Sequence, residues 1–211
     1  MCLITKMTEP KIADKDIICY KVIRKNMSSI YHDDFKWEFG KMYYSWIEVV
    51  DEIDYSNAIY QAFHSYETLE GLKLSYFRTT IPCLTVKCTI PKGSKIYKGR
   101  HGDIEGYASN QLIINEVIDT KELYPDFDWD NYPYKEGQVI QVSDGKEWTD
   151  YQIMNIQLRR ENSPRLDLSV RVDLLVENCN STLDTDYIVT QFVKGTWLTD
   201  TEVRLKDNKE K

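Results

Sequence analysis

From Leu166 to Val176 an apolar side chain falls on every second position. Leu166, Leu168, Val170, Val172, Leu174 and Val176 alternate with Asp167, Ser169, Arg171, Asp173, Leu175 and Glu177. Successive side chains of a strand point to opposite sides, so this spacing specifies a strand with one buried and one largely wetted face. Such a strand needs neighbours. GQVIQVS at 137–143, Asp144-Gly145 and WTDYQIMNIQL at 148–158 supply a hairpin, because Asp-Gly accepts the positive φ of a two-residue turn. With DYIVTQFVK at 186–194 and TEVRL at 201–205 they make an antiparallel all-β domain over 137–211, a small barrel or sandwich.

The first 120 residues lack that regularity. IICYKVIR (17–24), MYYSWIEVV (42–50), CLTVKCTI (83–90), KIYKG (95–99) and QLIINEVI (111–118) are rich in β-branched and aromatic residues and read as strands. A helix is predicted over 67–77, capped by Ser65 or Thr68, with Leu69, Leu72 and Phe77 on one side. Residues 1–120 are therefore expected to form an α+β domain. Between the two domains, KELYPDFDWDNYPYKE (121–136) carries two prolines, five aromatics and five carboxylates. It reads as an acidic linker too aromatic to be a loose spacer, expected to pack with its carboxylates towards a basic stretch upstream.

That stretch lies between Gly71 and Gly102, where seven basic residues occur with no Asp or Glu. Lys92, Lys95, Lys98 and Arg100 share one predicted hairpin and are expected to form an anion-attracting edge for an acidic protein partner. Nucleic acid is disfavoured as that partner, because the chain as a whole carries a formal charge of −7 and has a pI near 5.1. No apolar run approaches the length of a membrane span, and the start MCLITKMTEP has no signal-peptide core; the expectation is a cytoplasmic protein of a host cell, or a virion component. The oligomeric state is left open.

Catalytic signatures are missing. There is no H-E-x-x-H, P-loop, G-x-S-x-G or G-x-G-x-x-G, and the five cysteines show no C-x-x-C spacing. The sequence thus calls for no cofactor, no metal and no catalytic residue, and its cysteines read as buried free thiols. His64 and Ser65 precede the predicted helix, where either an anion or a simple cap fits; His101, in a glycine-flanked turn, is expected to be exposed.

Four segments, CYKVI (19–23), FHSYETLE (63–70), VKCTIPKGSKIYKG (86–99) and YASNQLII (107–114), together resemble a group of small proteins of gut-community bacteria and their phages. The resemblance covers about residues 17–118. The group's G-F-H-S element has Ala62 in place of its glycine here. The resemblance implies a mobile-element origin and brings no activity with it. Two functions are compatible with these residues. The first is a non-enzymatic binding protein of a phage or mobile element, a virion part or an inhibitor of a host system, acting through protein–protein contacts. The second is an ADP-ribosyltransferase-like or nucleotide-binding domain in which His64, Ser65, Tyr107 and Ser109 line a cleft between strands, although the glutamate pair such chemistry uses is not evident.

Overall fold

The computed structural model describes residues 2–30, 32, 34–51, 57–74, 83–125, 127, 129–130, 132–143, 146–160, 170–179, 187–193, 196–197 and 202–206. The chain divides into two compact units, residues 1–76 with 84–119, and 77–83 with 120–211.

The first unit is built from β1 (Leu3–Thr5), β2 (Lys11–Ile12), β3 (Ile17–Arg24), β4 (Met42–Tyr44), β5 (Glu48–Asp51), β6 (Asn57–Gln61), β7 (Phe63–Tyr66), α1 (Leu69–Leu74), β8 (Cys83–Ile90), β9 (Lys95–His101), β10 (Ile104–Ser109) and β11 (Gln111–Val117). These strands make one curled, half-barrel sheet in the order β4-β11-β8-β3-β7-β10-β9-β1-β6-β5, with β2 on β9. The expected α+β class is thereby corrected. Strands predominate among the described residues, and helix is confined to short segments. Within the predicted helix over 67–77, helix is observed over the six residues of α1, started by Thr68, whose Oγ1 accepts from the Gly71 amide at 3.0 Å, and residues 75–77 lie outside the described residues. The error lay in the stretches between the obvious strands: β1, β6, β7 and β10 are strands too, and they turn a mixed domain into a β domain.

The predicted strand 42–50 has an instructive form. It bends at residues 45–47, so that its first half, β4, pairs with β11 and its second half, β5, pairs with β6. One bent segment therefore touches both ends of the strand order. Curling gives the sheet two packed sides. On one, Cys19, Ile23, Val86, Cys88, Ile90, Leu112 and Ile114 pack with Trp37, Tyr43 and Tyr107. On the other, Leu3, Ile59, Tyr97 and Ala108 make a smaller core. The rings of Phe35, Trp37, Tyr43 and Phe63 meet at tilted to edge-on angles with centroids 4.6–6.4 Å apart, the spacing aromatic quadrupoles favour.

The main part of the second unit begins at α2 (Thr120–Leu123), and the acidic segment belongs to it. Leu123, Tyr124, Tyr132 and Tyr134 are buried, and the Trp129 indole N–H donates to the Tyr124 carbonyl at 3.1 Å, so the segment is packed chain. β12 (Val139–Ser143), β13 (Trp148–Arg160), β14 (Val170–Asn178), β15 (Tyr187–Val193), β16 (Thr196–Trp197) and β17 (Glu202–Leu205) then form one antiparallel sheet in the order β16-β15-β14-β13-β12-β17. Among the described residues it is a single open sheet, not closed into a barrel. Leu174 and Val176 of the alternating run are fully buried. Leu166, Leu168 and the Asp144-Gly145 turn lie outside the described residues. Ile153 and Ile156 are also buried, although three residues apart on one strand. A bulge between Ile153 and Asn155 makes this compatible with β structure, because it shifts the register by one and returns Ile156 to the inner side opposite Leu174.

Candidate functional site

The residues singled out from sequence gather on three adjacent strands, β7, β10 and β9. In the antiparallel register, Tyr107 lies opposite Ser65, Ala108 opposite His64 and Ser109 opposite Phe63. Directly paired residues share a side of the sheet. Ser65, Tyr107 and Ser109 thus face one way and His64 the other. Because β7 and β10 are hydrogen-bonded neighbours, there is no cleft between them, and the four residues do not converge on one point. Ser109 is buried and its hydroxyl donates to the Gln111 carbonyl at 2.9 Å, closing the β10–β11 turn.

On the Ser65 side lies a polar group that begins in the core and ends at the surface. Its inner part is Cys19 and Cys88, both without exposed surface, on neighbouring strands β3 and β8. The neighbouring Cys88 thiol holds the Cys19 thiol below its usual value against the upward push of burial, with the Lys21 charge acting the same way. Burial pushes Cys88 well up. Lys21 donates to the His64 carbonyl at 2.8 Å, and its desolvation pulls the ammonium down. Towards the surface, Glu67 accepts from the Tyr107 hydroxyl at 2.8 Å and from Lys98 Nζ at 2.7 Å. Burial would raise the Glu67 carboxyl, but these donors hold it below the ordinary range. Burial, and then the bond to Glu67, drives the Tyr107 phenol up.

On the opposite side His64 and His101 meet edge to face, ring centroids 5.4 Å apart. His101 is only 6% exposed, which corrects the expectation that it sits free in a turn. Its Nδ1 is 3.3 Å from the Cys2 carbonyl, and His64 Nε2 lies at the same distance from the Tyr60 carbonyl. His64 Nδ1 and His101 Nε2 are buried with no partner of good geometry. Burial depresses both rings, to about 3 for His64 and about 4 for His101, and the Lys21 charge adds to this. Two neutral imidazoles are a structural pair here. No group of three metal-ligating side chains occurs among the described residues.

The basic edge is divided. Lys98 and Arg100 share a side of β9, but Lys98 is bound to Glu67 and lies 3.4 Å from Glu105, and Arg100 lies 3.7 Å from Glu105. Lys95 is exposed on the other side of β9, beside β2, and Lys92 sits in the turn before it, its amide donating to Asp16 at 2.8 Å. The acidic groups met by Lys98 and Arg100 thus belong to their own sheet.

Sequence reasoning missed a different surface. Along the bent segment Met42–Asp51, the inward positions hold Tyr43, buried, with Ser45 and Ile47 half-buried, whereas the outward positions hold Met42, Tyr44 and Trp46. Tyr44 is 70% exposed and Trp46 69%. Tyr60, on the strand beside β5, is exposed as well, and Phe39 precedes the segment. Alternation was the signal available: when a strand puts apolar residues on both faces and one face is wet, the wet apolar face marks contact with something else. Compared with known protein families, curated proteins and solved structures, the chain matches none of them.

Proposed function

We propose that this chain is a non-enzymatic binding protein, of phage or other mobile-element origin, that acts through protein–protein contacts made by the outward face of the bent segment. The observation that carries this reading is the run of exposed side chains Met42 and Tyr44, on β4, and Trp46, at the bend that follows it. Isolated exposed apolar residues are ordinary on any protein. A row of three, two of them aromatic and about two-thirds exposed, is not, and Tyr and Trp are the residues that dominate interface energetics. The Tyr44 hydroxyl donates to the Met42 sulfur at 2.8 Å, which holds these two side chains together as one surface. Because the segment is held at its two ends, by β4 on β11 and by β5 on β6, the row needs little ordering on binding, and low entropic cost favours affinity.

The four residues of the alternative nucleotide reading support it less well, since they face both sides of a paired sheet. The mobile-element origin rests on the sequence resemblance over residues 17–118. A photo-activated phenylalanine analogue placed at Trp46 and irradiated in the bacterial host is the test. The reading expects one dominant protein adduct at that position and none with the analogue at exposed Asp103. Equal labelling at both positions, or none at Trp46, refutes it.

A further inference from the structure

Tyr20 of β3 pairs with Tyr66 of β7, so the next residues along, Lys21 and Ser65, face each other on the opposite side of the sheet, and Tyr107 of β10 lies opposite Ser65 in turn. Lys21, Ser65 and Tyr107 therefore form one row across three neighbouring strands. Trp37 covers this row. Lys21 Nζ stands 5.8 Å from its ring centroid, and the ring meets that of Phe63, two residues before Ser65 on the same side, at 5.6 Å. We propose that Lys21, Ser65 and Trp37 bind the carboxylate of a small apolar acid on this side of the sheet.

The ligand class follows from what these side chains offer. Trp37 is 4% and Ser65 1% exposed, and among the described residues neither the Trp37 indole Nε1–H nor the Ser65 hydroxyl has a hydrogen-bond partner. Lys21 carries three N–H donors and uses one, on the His64 carbonyl at 2.8 Å; among the described residues no carboxylate pairs with it. An indole N–H and an ammonium can only donate, so a ligand that satisfies both presents acceptors. A buried donor without an acceptor and a desolvated charge without a counter-charge both cost stability, and one anion relieves the two together. The rings of Phe35, Tyr43 and Phe63 meet Trp37 with centroids 4.6–5.6 Å away, and this aromatic lining selects an apolar body for the acid.

The donors are held in place beforehand. The Trp37 amide donates to the Met27 carbonyl at 2.8 Å and Ser28 bridges Lys36, which fixes the covering segment, while Lys21 and Ser65 sit on paired strands. Lys21 is half-buried, and its row continues through Tyr107 to Glu67 and Lys98 at the surface, a path by which a small acid enters. The Glu67 carboxylate on that path is already matched by Lys98, so the ammonium left for an incoming anion is that of Lys21. The site lies on the Tyr43 side of the bent segment, opposite Met42 and Tyr44, and does not rest on their role in protein contacts.

The test titrates the isotope-labelled full-length chain with sodium benzoate at constant pH and ionic strength, and follows the indole N–H resonance of Trp37, assigned by its loss in Trp37→Phe. The expected result is a saturable shift of that resonance with benzoate and none with benzamide, which keeps the ring and lacks the charge. Lys21→Met keeps the aliphatic stem and should weaken benzoate binding about tenfold, the effect of losing a charged hydrogen bond. Ser65→Ala should weaken it about threefold, and this smaller change carries the test where Lys21→Met does not fold. A Trp37 shift that stays linear in benzoate overturns the proposal, as does one that benzamide reproduces. Unaltered benzoate affinity in folded Lys21→Met, or in Ser65→Ala, overturns it equally.

Discussion

Lowering the pH from 7.5 to 5 should destabilise the first unit through His64 and His101. Their imidazoles are depressed to about 3 and about 4 in the folded chain by burial, against an ordinary value near 6.5. A histidine whose folded value is depressed contributes stability that is complete above the unfolded value and is lost as pH falls towards the folded one. The unfolded chain takes up the protons that the folded one refuses. At pH 5 the unfolded ring is almost fully protonated and the folded ring almost fully neutral, so each histidine costs about 2 kcal/mol relative to pH 7.5, and the pair about 4. The assay is urea unfolding at the two pH values, followed on the amide resonances of β10, which belong to the first unit alone. His64→Gln and His101→Gln keep a polar side chain and remove the titration. Each should roughly halve the pH-dependent loss, and the double variant should nearly abolish it. An unchanged pH-dependent loss in the double variant would refute the reasoning, because other groups would then be responsible.

Further outcomes follow from single side chains. Gly99 and Gly106 pair across β9 and β10, and a Cβ would stand 2.2 Å from the Ile4 carbonyl oxygen at the first and 2.5 Å from that of Ser65 at the second. Gly99→Ala or Gly106→Ala should therefore cost about 3 kcal/mol or more in urea unfolding. Leu174→Ala, in the core of the second unit, should cost about 2–5 kcal/mol there and leave the first unit's transition in place, as heteronuclear NMR through the titration would show. Tyr107→Phe removes one donor to Glu67; the Glu67 carboxyl should then titrate higher by carbon-detected NMR, with stability lower by about 1–2 kcal/mol. Tyr44→Ser with Trp46→Ser should change stability by roughly 0.5 kcal/mol or less per site, since both side chains are mostly in water already.

The strands that could be read from sequence are those whose own residues demand burial. IICYKVIR and CLTVKCTI coincide with β3 and β8, because β-branched and aromatic side chains fill a pleated core surface without help from elsewhere. FHSY and IEGYAS gave no such signal. They hold Ser65, Gly106, Ala108 and Ser109, small residues used where backbones and the His101 ring come close, so their strand character is set by partners distant in sequence. Missing them produced the α+β expectation. The same long-range pairing hid the site, because only the register reveals that His64 points to one side of the sheet and Ser65, Tyr107 and Ser109 to the other. His101 looked exposed because its neighbours are turn residues, whereas its ring is turned inward against His64 and Tyr66. The bent segment was legible as a strand but not as a surface, since knowing which alternate face is wet requires knowing where the sheet curls.

The most direct measurement of the binding role is affinity capture from lysate of the bacterial host with the full-length chain and with its Tyr44→Ser, Trp46→Ser variant, the retained protein being quantified against bait by mass spectrometry. The account predicts a protein held in stoichiometric amount by the unaltered chain and lost at least tenfold from the variant, while the variant's unfolding transition is unchanged. The same protein held equally by both chains would contradict it.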